Sequence, residues 1–285
     1  MKIRRSSRLV GMTHYLLHHP QQLVSLTFFA DLYASAKSSV SEDLGIIKQT
    51  FEQQGIGTLL TVPGAAGGVK YIPSISNQEV NTVIEELCDL LQKPDRVLPG
   101  GYLYMTDILS NPNYVNSVGR MFASIFSNQK IDIVMTIATK GIPLAYAVAN
   151  FLNVPVVIVR QDNKVTEGST VSINYVSGSS KRIQTMSLAK RSIEAGSNVL
   201  IIDDFMKAGG TVTGMKNLLK EFQANVAGIG VLVEAVNIEE RLVEDYISLV
   251  KLSEVNEREQ LIRVERGNFQ EESFIKTESL LSLDR

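Results

Sequence analysis

One short segment, VLIIDDFMKAGGT at Val199–Thr211, carries residue types that could do chemistry on a phosphorylated sugar. Asp203 and Asp204 directly follow an apolar run, and a Gly-Gly-Thr sequence begins at Gly209. Carboxylates accept hydrogen bonds from the 2- and 3-hydroxyls of a ribose, and glycines let backbone amides approach its 5-phosphate. A helix after the glycines would add the partial positive charge of its N-terminus. The segment is therefore predicted to hold a phosphorylated ribose.

Each part of this segment also has an ordinary explanation, since a Gly-Gly pair is usually a turn and an acid pair usually a solvated loop. Their combination after a buried strand is more specific. The segment resembles the phosphoribosyl-diphosphate-binding signature of type I phosphoribosyltransferases, which is an apolar strand, two acids and a loop ending in Gly-Gly-Thr. The resemblance implies that the whole loop contacts the ligand: Asp203, Asp204, Phe205, Met206, Lys207, Ala208, Gly209, Gly210 and Thr211.

One position departs from the pattern of those enzymes. Ala208 stands where they usually carry a threonine, whose hydroxyl contacts the 5-phosphate. Its loss is expected to weaken tight and productive binding.

The same resemblance implies a diphosphate loop after an earlier strand, formed here by Ala138, Thr139, Lys140 and Gly141. Lys140 would be a cation for the diphosphate, although an ordinary surface lysine is the alternative, and Gly141 would permit an unusual backbone. A mobile active-site loop is expected in the long polar stretch from residue 160 to 185, with Arg160 and Lys164 as cations. Tyr102, with Tyr104, would contact a base from a hood segment; packing in the core is the equal alternative.

The segments that must position these residues alternate between strand and helix. Short runs rich in β-branched residues are typical of strands buried on both faces, as in a parallel sheet. The predicted strands are Ile131–Ala138, Val154–Val159, Asn198–Ile202 and Val226–Val233, and the predicted helices are Ile142–Leu152, Ser187–Ala195 and Thr213–Gln223. This rhythm predicts an α/β domain with a doubly wound parallel sheet, where ligands bind at the carboxyl ends of the strands.

The first 73 residues have a different pattern, which predicts three helices and a hairpin. The third helix, from about Lys37 to Gln53, carries an apolar stripe of Val40, Leu44, Ile47 and Phe51. A first helix is closed by Pro20, and Thr27 is expected to cap a second, Phe28–Tyr33. Two β-prone runs, Thr58–Val62 and Val69–Ile72, flank a glycine-rich turn. This order predicts a winged helix-turn-helix.

The charges of this first domain favour DNA, although a dimerisation or adaptor module is the alternative. Residues 1–73 carry seven Lys/Arg and four Asp/Glu, a net charge of +3, whereas the remainder is −5. Glu42 and Asp43 count against a uniformly basic surface. Cations and short polar side chains contact phosphates and base edges. The predicted DNA-binding residues are Lys2, Arg4, Arg5, Arg8, Lys37, Ser38, Ser41, Lys48 and Lys70.

Over its full length the chain resembles the Gram-positive purine operon repressors. The resemblance rests on KIRRSSRLV, SAKSSVSEDL, GTLLTVPGAAGGVKYIP and DDFMKAGGT. It implies a DNA-binding domain over residues 1–73 and a phosphoribosyltransferase-like domain over 74–285 that forms a homodimer. It also implies release from purine gene control regions by phosphoribosyl diphosphate, with guanosine tetraphosphate competing for the pocket.

Catalysis and a required cofactor are not expected, and a divalent metal would accompany the effector. The alternatives are a purine salvage phosphoribosyltransferase with an accessory nucleic-acid-binding domain, and an RNA- or partner-binding regulator.

The single cysteine, Cys88, excludes an intramolecular disulfide and fits a reducing compartment. No run approaches the roughly 20 apolar residues of a membrane span, so a cytoplasmic location is expected.

Overall fold

The computed structural model describes residues 3–64, 66–98, 102–161, 168–176, 182–236, 238, 240–256, 259 and 261–269. Lys2, Lys164 and the tail after Phe269 lie outside this range. Within it, no helix combines the length and apolar character needed to cross a membrane.

The N-terminal domain has the predicted winged-helix architecture. Its elements are α1 (Arg5–His18), β1 (Leu23–Val24), α2 (Leu26–Leu32), α3 (Lys37–Gln53), β2 (Gly57–Val62) and β3 (Gly68–Pro73). The three strands form an antiparallel sheet in the order β1-β3-β2. The apolar stripe of α3 is buried as predicted. The expected cap at Thr27 is wrong: Ser25 accepts the Phe28 N–H at 3.1 Å, so the helix begins at Leu26.

A buried ion pair joins α1 to α3. The Arg8 side chain donates to Asp43 through Nε at 2.5 Å and to Ser35 Oγ at 2.9 Å. Arg8 is 8% exposed and Asp43 is fully buried. The prediction that Arg8 contacts DNA is therefore wrong, because its charge is taken up inside the domain. The expected acidic contribution of Asp43 to the surface is wrong for the same reason.

The C-terminal domain is built on a six-stranded sheet. Its helices are α4 (Asn77–Leu91), α5 (Thr106–Leu109), α6 (Pro112–Ile125), α7 (Ile142–Leu152) and α8 (Gly210–Glu221). Its strands are β4 (Val97–Leu98), β5 (Tyr102–Leu103), β6 (Ile133–Ile137), β7 (Val156–Val159), β8 (Thr170–Val176), β9 (Ile183–Ala189), β10 (Asn198–Met206), β11 (Asn225–Ala235), β12 (Ile247–Asn256) and β13 (Leu261–Arg266).

The sheet order is β13-β12-β11-β10-β6-β7, parallel except for the edge strand β13. One face is covered by α4, α6 and α7, and the other by α8 with the β8–β9 hairpin. This arrangement confirms the doubly wound α/β prediction.

Three parts of the sheet domain differ from the sequence prediction. The expected helix at Ser187–Ala195 is wrong, because β9 occupies its first residues and pairs with β8. Within the stretch from residue 160 to 185, residues 170–176 and 183–185 belong to the strands of this hairpin, so the described part of the stretch is not structureless. Met186 favours the strand here, because it is fully buried and packs against Gly214 of α8, as the alternation of side chains along a strand allows. Strand β10 also runs four residues further than predicted, so both aspartates lie within it.

Replacing Arg8 by methionine is expected to destabilise the N-terminal domain by about 3 kcal/mol, because it leaves the buried Asp43 carboxylate with only the exposed Arg5 as a charged partner. Thermal and denaturant unfolding would measure this, with the exposed Arg4→Met as the matched control. Equal losses in the two variants would contradict a structural role for Arg8.

The same ion pair predicts an acid-sensitive stability. Burial acts to raise the pKa of Asp43, but the hydrogen bonds and charges of Arg8 and Arg5 hold that pKa below its usual value. A carboxyl with a depressed folded pKa stabilises above its unfolded pKa of about 3.9 and loses that contribution as pH falls through the folded value. The wild type should therefore lose stability as the pH falls below the unfolded pKa, and Arg8→Met should lose less stability over the same range. Unfolding measured at a series of pH values would show this.

Candidate functional site

The two aspartates of β10 form a buried acidic pair. Asp203 is 4% exposed, and its Oδ1 accepts the N–H of the half-buried Asp204 at 3.0 Å. Burial, followed by the charge of Asp204, raises the pKa of Asp203 well above its usual value. Burial also raises the pKa of Asp204, although the Asp203 side chain and the charge of Lys140 oppose it. Such a pair lacks the solvation of surface carboxylates and is suited to accept hydrogen bonds from sugar hydroxyls.

The predicted diphosphate loop reaches this pair from the neighbouring strand. Lys140 is exposed and its charge acts on Asp204. Gly141 is buried, and a Cβ there would lie 2.3 Å from Thr136 Oγ1 and 3.2 Å from Asp203 Oδ1. Its φ of −69° is ordinary, so the expectation of an unusual backbone at Gly141 is wrong. The glycine is needed for space beside the carboxylate; the cis peptide bond of this loop lies between Ala138 and Thr139.

A pocket at the end of β10 is formed by the glycine loop. Its lining consists of Asp203 and residues 205–212 among those described. Gly209, at φ +86°, is the N-cap of α8, so the loop turns directly into a helix N-terminus. Backbone amides and the helix dipole there favour a phosphate. The Met206 side chain is 2% exposed and packs in the core beneath the loop.

Arg160 lies beside the diphosphate loop. It directly follows β7, and the Ala138 N–H bonds to the last carbonyl of that strand, Val159, at 2.8 Å. The backbone of Arg160 pairs with Ser187 in both directions, at 3.0 and 2.8 Å, and so ties the β8–β9 hairpin to the sheet edge.

Tyr102 lies on the β4–β5 ribbon, which is braced by the bidentate pair of Arg96 with Asp107 at 2.7 and 2.8 Å. Tyr102 and Tyr104 are 58% and 41% exposed, so neither is a packed core aromatic. Tyr102 is not among the described residues that line the pocket of the glycine loop, and its contact with a base stays a prediction.

Sequence reasoning missed one support of the glycine loop. The Leu242 N–H donates to the Ala208 carbonyl at 2.9 Å, and Val243 packs against Gly209. No local pattern indicates these contacts, because they join residues more than thirty positions apart.

The candidate DNA surface combines the start of α1 with the outer face of α3. Arg4, Arg5, Lys37, Ser38 and Ser41 are exposed, and Lys48 and Lys70 are half-buried. The Arg5 side chain donates to Asp43 at 2.8 Å and lies 3.6 Å from Glu42, and Lys48 lies 4.0 Å from Glu52. The pairs at Asp43 hold the start of α1, with Arg4 and Arg5, against α3.

Comparisons with known proteins match two separate parts of the chain. Residues 4–73 match the model of the bacterial purine repressor N-terminal domain, and residues 105–264 match the phosphoribosyl transferase domain. The chain is 68% identical to the purine biosynthesis transcriptional repressor of Bacillus subtilis strain 168, over 94% of each protein. It is 46% identical to the purine biosynthesis transcriptional activator of Lactococcus lactis, over 93% of this chain and 98% of the relative.

Among solved structures, adenine phosphoribosyltransferase from Thermoanaerobacter pseudethanolicus is similar, with a TM-score of 0.52 and 25% identity. The match covers 59% of this chain and 99% of that enzyme. Fold and site thus define a transcription regulator in which a winged helix precedes a phosphoribosyltransferase-like domain. The chain belongs to the family of bacterial purine repressors.

Replacing Asp203 by asparagine is expected to stabilise the effector-free protein by about 1 kcal/mol at pH 7.5. A carboxyl whose folded pKa is raised contributes stability below its unfolded pKa and loses it as pH rises. The gain should therefore shrink as the pH approaches 4, which unfolding at several pH values would show.

Asp132→Asn is the matched control at the other end of the same strand pair. Hydrogen bonds from the backbone and side chain of Asn198, both at 2.8 Å, lower the pKa of Asp132 despite some burial. This variant should lose stability at pH 7.5. A loss in both variants would argue against a desolvated charge at Asp203.

Proposed function

We propose that the protein is a DNA-binding repressor of purine biosynthesis genes that phosphoribosyl diphosphate releases from its operator. The observation that carries the proposal is the buried Asp203–Asp204 pair beside a phosphate-type loop, in a chain that begins with a winged helix. Repression, as opposed to activation, of transcription is supported by the 68% identity to a protein named as a repressor. The activator of Lactococcus lactis is a more distant relative.

The chemistry of each subsite suits one part of phosphoribosyl diphosphate. The aspartates accept the 2- and 3-hydroxyls, and the amides of residues 207–211 with the α8 N-terminus hold the 5-phosphate. Lys140, whose charge acts on Asp204, and Arg160, whose backbone directly follows β7, would supply the cations that neutralise the diphosphate. The described residues include no group of three His, Cys, Asp or Glu placed to hold a metal, so an accompanying divalent cation would be coordinated chiefly by the diphosphate.

Guanosine tetraphosphate also places phosphate groups on both sides of a ribose. It would compete for the same pocket and favour the DNA-bound state. We further propose a homodimer formed by the C-terminal domains, in which the effector binds the DNA-releasing state more tightly.

Packed elements connect the effector site to the winged helix. Helix α7 begins at the diphosphate loop and packs closely on α6, where a Cβ at Gly119 would lie 2.6 Å from Ala147 Cβ. The next residue of α6, Arg120, pairs with Glu79 of α4, and its charge acts on Tyr71 of β3. A shift of α7 on effector binding would therefore be transmitted to the wing. Direct repulsion between the charges of the effector and the DNA phosphates would act in addition.

The absence of a catalytic role is also part of the proposal. Ala208 supplies no side-chain hydroxyl to the 5-phosphate, so binding is expected without efficient turnover. A purine salvage phosphoribosyltransferase is the second candidate, favoured by the phosphoribosyl transferase domain match. Release of diphosphate from phosphoribosyl diphosphate that depends on an added purine base would support that enzyme and contradict the sensor.

Asp204→Asn and Lys207→Ala are expected to bind operator DNA as the wild type does, but to need at least about tenfold more phosphoribosyl diphosphate for release. Lys220→Ala, at the far end of α8, is the matched control and should behave as the wild type. Gel-shift titration on purine promoter DNA measures both properties. Normal release of the two site variants would contradict the assignment of the pocket.

Lys37→Ala is expected to weaken binding to specific and random DNA alike and to make the salt dependence shallower by about one unit, as loss of one phosphate contact requires. Lys130→Ala, an exposed lysine of the other domain, is the control. A changed base preference in Lys37→Ala would instead place Lys37 in a groove. Failure of the wild type to prefer promoter DNA at moderate salt would overturn the repressor proposal.

A further inference from the structure

A segment after β11 lies against the phosphate loop; we call residues 240–246 the strap. Its Leu242 N–H donates to the Ala208 carbonyl at 2.9 Å. The next residue, Val243, is 2% exposed, and a Cβ built on Gly209 would come within 2.9 Å of its Cγ2. Both contacts fall where the loop turns into the left-handed region, at φ +86°. The strap therefore supports the loop at its most demanding backbone position.

The bond to Leu242 has an electrostatic consequence for anion binding. A trans peptide plane directs its carbonyl and its N–H in opposite directions. Drawing the Ala208 carbonyl toward the strap thus turns the Gly209 N–H away from it. A loop that binds phosphate through backbone N–H groups benefits when this orientation exists before the ligand arrives, because ordering it on binding costs affinity.

The strap is itself anchored on a buried carboxylate of β11. Glu234 is 3% exposed and lies 3.0 Å from the Arg241 guanidinium, which also donates to the Ala235 carbonyl at 2.7 Å. The Tyr246 hydroxyl donates to the same carboxylate, as does Ser248 Oγ at 2.6 Å. The Arg241 guanidinium also stacks over the Tyr246 ring, 5.2 Å from its centroid. Residues near both ends of the strap, Arg241 and Tyr246, therefore contact the same carboxylate.

This anchor is adjacent to the effector site in the sheet. Glu234 pairs in register with Met206, the residue at which β10 ends and the phosphate loop begins. We propose that Glu234 and Arg241 are positioning residues for the effector site, which set the geometry of the phosphate loop through the strap. This inference rests on the proposed binding of phosphoribosyl diphosphate.

The test compares Arg241→Met and Arg241→Lys with the wild type by calorimetric titration of phosphoribosyl diphosphate in the presence of Mg²⁺. Arg241→Met should bind about tenfold more weakly, as expected when the supporting shell of a site is removed. Arg241→Lys, which keeps the charge, should recover part of the loss. Operator affinity without effector should be unchanged in both. Wild-type affinity in Arg241→Met would overturn the proposal.

Arg263→Met is the matched control. Arg263 forms an ion pair with Glu254 at 3.1 Å across β12 and β13, away from the strap, and this variant should bind the effector normally. Weakening as large as that of Arg241→Met would indicate a general loss of stability and contradict the strap. If Arg241→Met does not fold, Val243→Ala replaces it, with the same weakening expected and wild-type affinity overturning the proposal.

Hydrogen exchange in the effector-free protein separates this inference from the proposed function. Arg241→Met, or Val243→Ala in its place, should accelerate amide exchange in residues 207–211 while leaving the centre of α8 unchanged. Unchanged exchange in the loop, or equal acceleration throughout the domain, would overturn the role of the strap. Absence of phosphoribosyl diphosphate binding by the wild type would overturn the proposed effector, whereas the exchange result would still decide whether the strap orders the loop.

Discussion

The desolvated carboxylate of Asp203 is the constraint around which the effector domain is organised. Its strand, β10, lies in the interior of a parallel sheet, so burial comes with its place in the fold. The neighbouring loop carries glycine at 141, where a Cβ would clash with Thr136 Oγ1 and come close to the carboxylate. Burial of the acidic pair costs stability, and the hydroxyls of the proposed ligand would return hydrogen bonds to it. Sites built for binding often retain such a cost.

The buried carboxylates of this protein are of two kinds, those compensated by an arginine and those that are not. Asp43 is as buried as Asp203, but Arg8 and Arg5 compensate its charge and hold its pKa down. The first carboxylate therefore stabilises its domain, and the second is the one proposed to accept a ligand. Glu234 resembles Asp43 in this respect, since Arg241 and two hydroxyls satisfy it. What separates a structural carboxylate from a ligand-binding one is the presence of a fixed donor, and residue type alone does not show it.

A phosphoribosyltransferase-like scaffold suits a sensor because its ligand-binding parts come from separate elements. The aspartates end one strand, Lys140 follows another, and the β8–β9 hairpin joins the sheet beyond Arg160. A ligand that contacts several of them can alter their relative positions and the helices packed behind them. Alanine at position 208, in place of the usual threonine, would remove one contact to the proposed 5-phosphate without disturbing this arrangement.

Local sequence patterns are sufficient to predict many of the helices and strands of this protein. The α3 stripe, the wing, the strands β6, β7, β10 and β11 and the acidic glycine loop all follow from short-range periodicity and motif, because each is determined by neighbours in sequence. The predicted helix at Ser187–Ala195 is wrong where β9 occupies its first residues, since Leu188 and its strand neighbour Met186 take their partners from α8 and the sheet. The wrong prediction for Arg8 and the absence of any prediction for the strap have a related cause. Arg8 pairs with a residue 35 positions away, and Leu242 of the strap bonds to one 34 positions away. Sequence periodicity and motif are sufficient to predict the winged helix, the parallel sheet and the acidic glycine loop. Which charges are compensated follows only from the folded chain, because compensation depends on distances between remote residues.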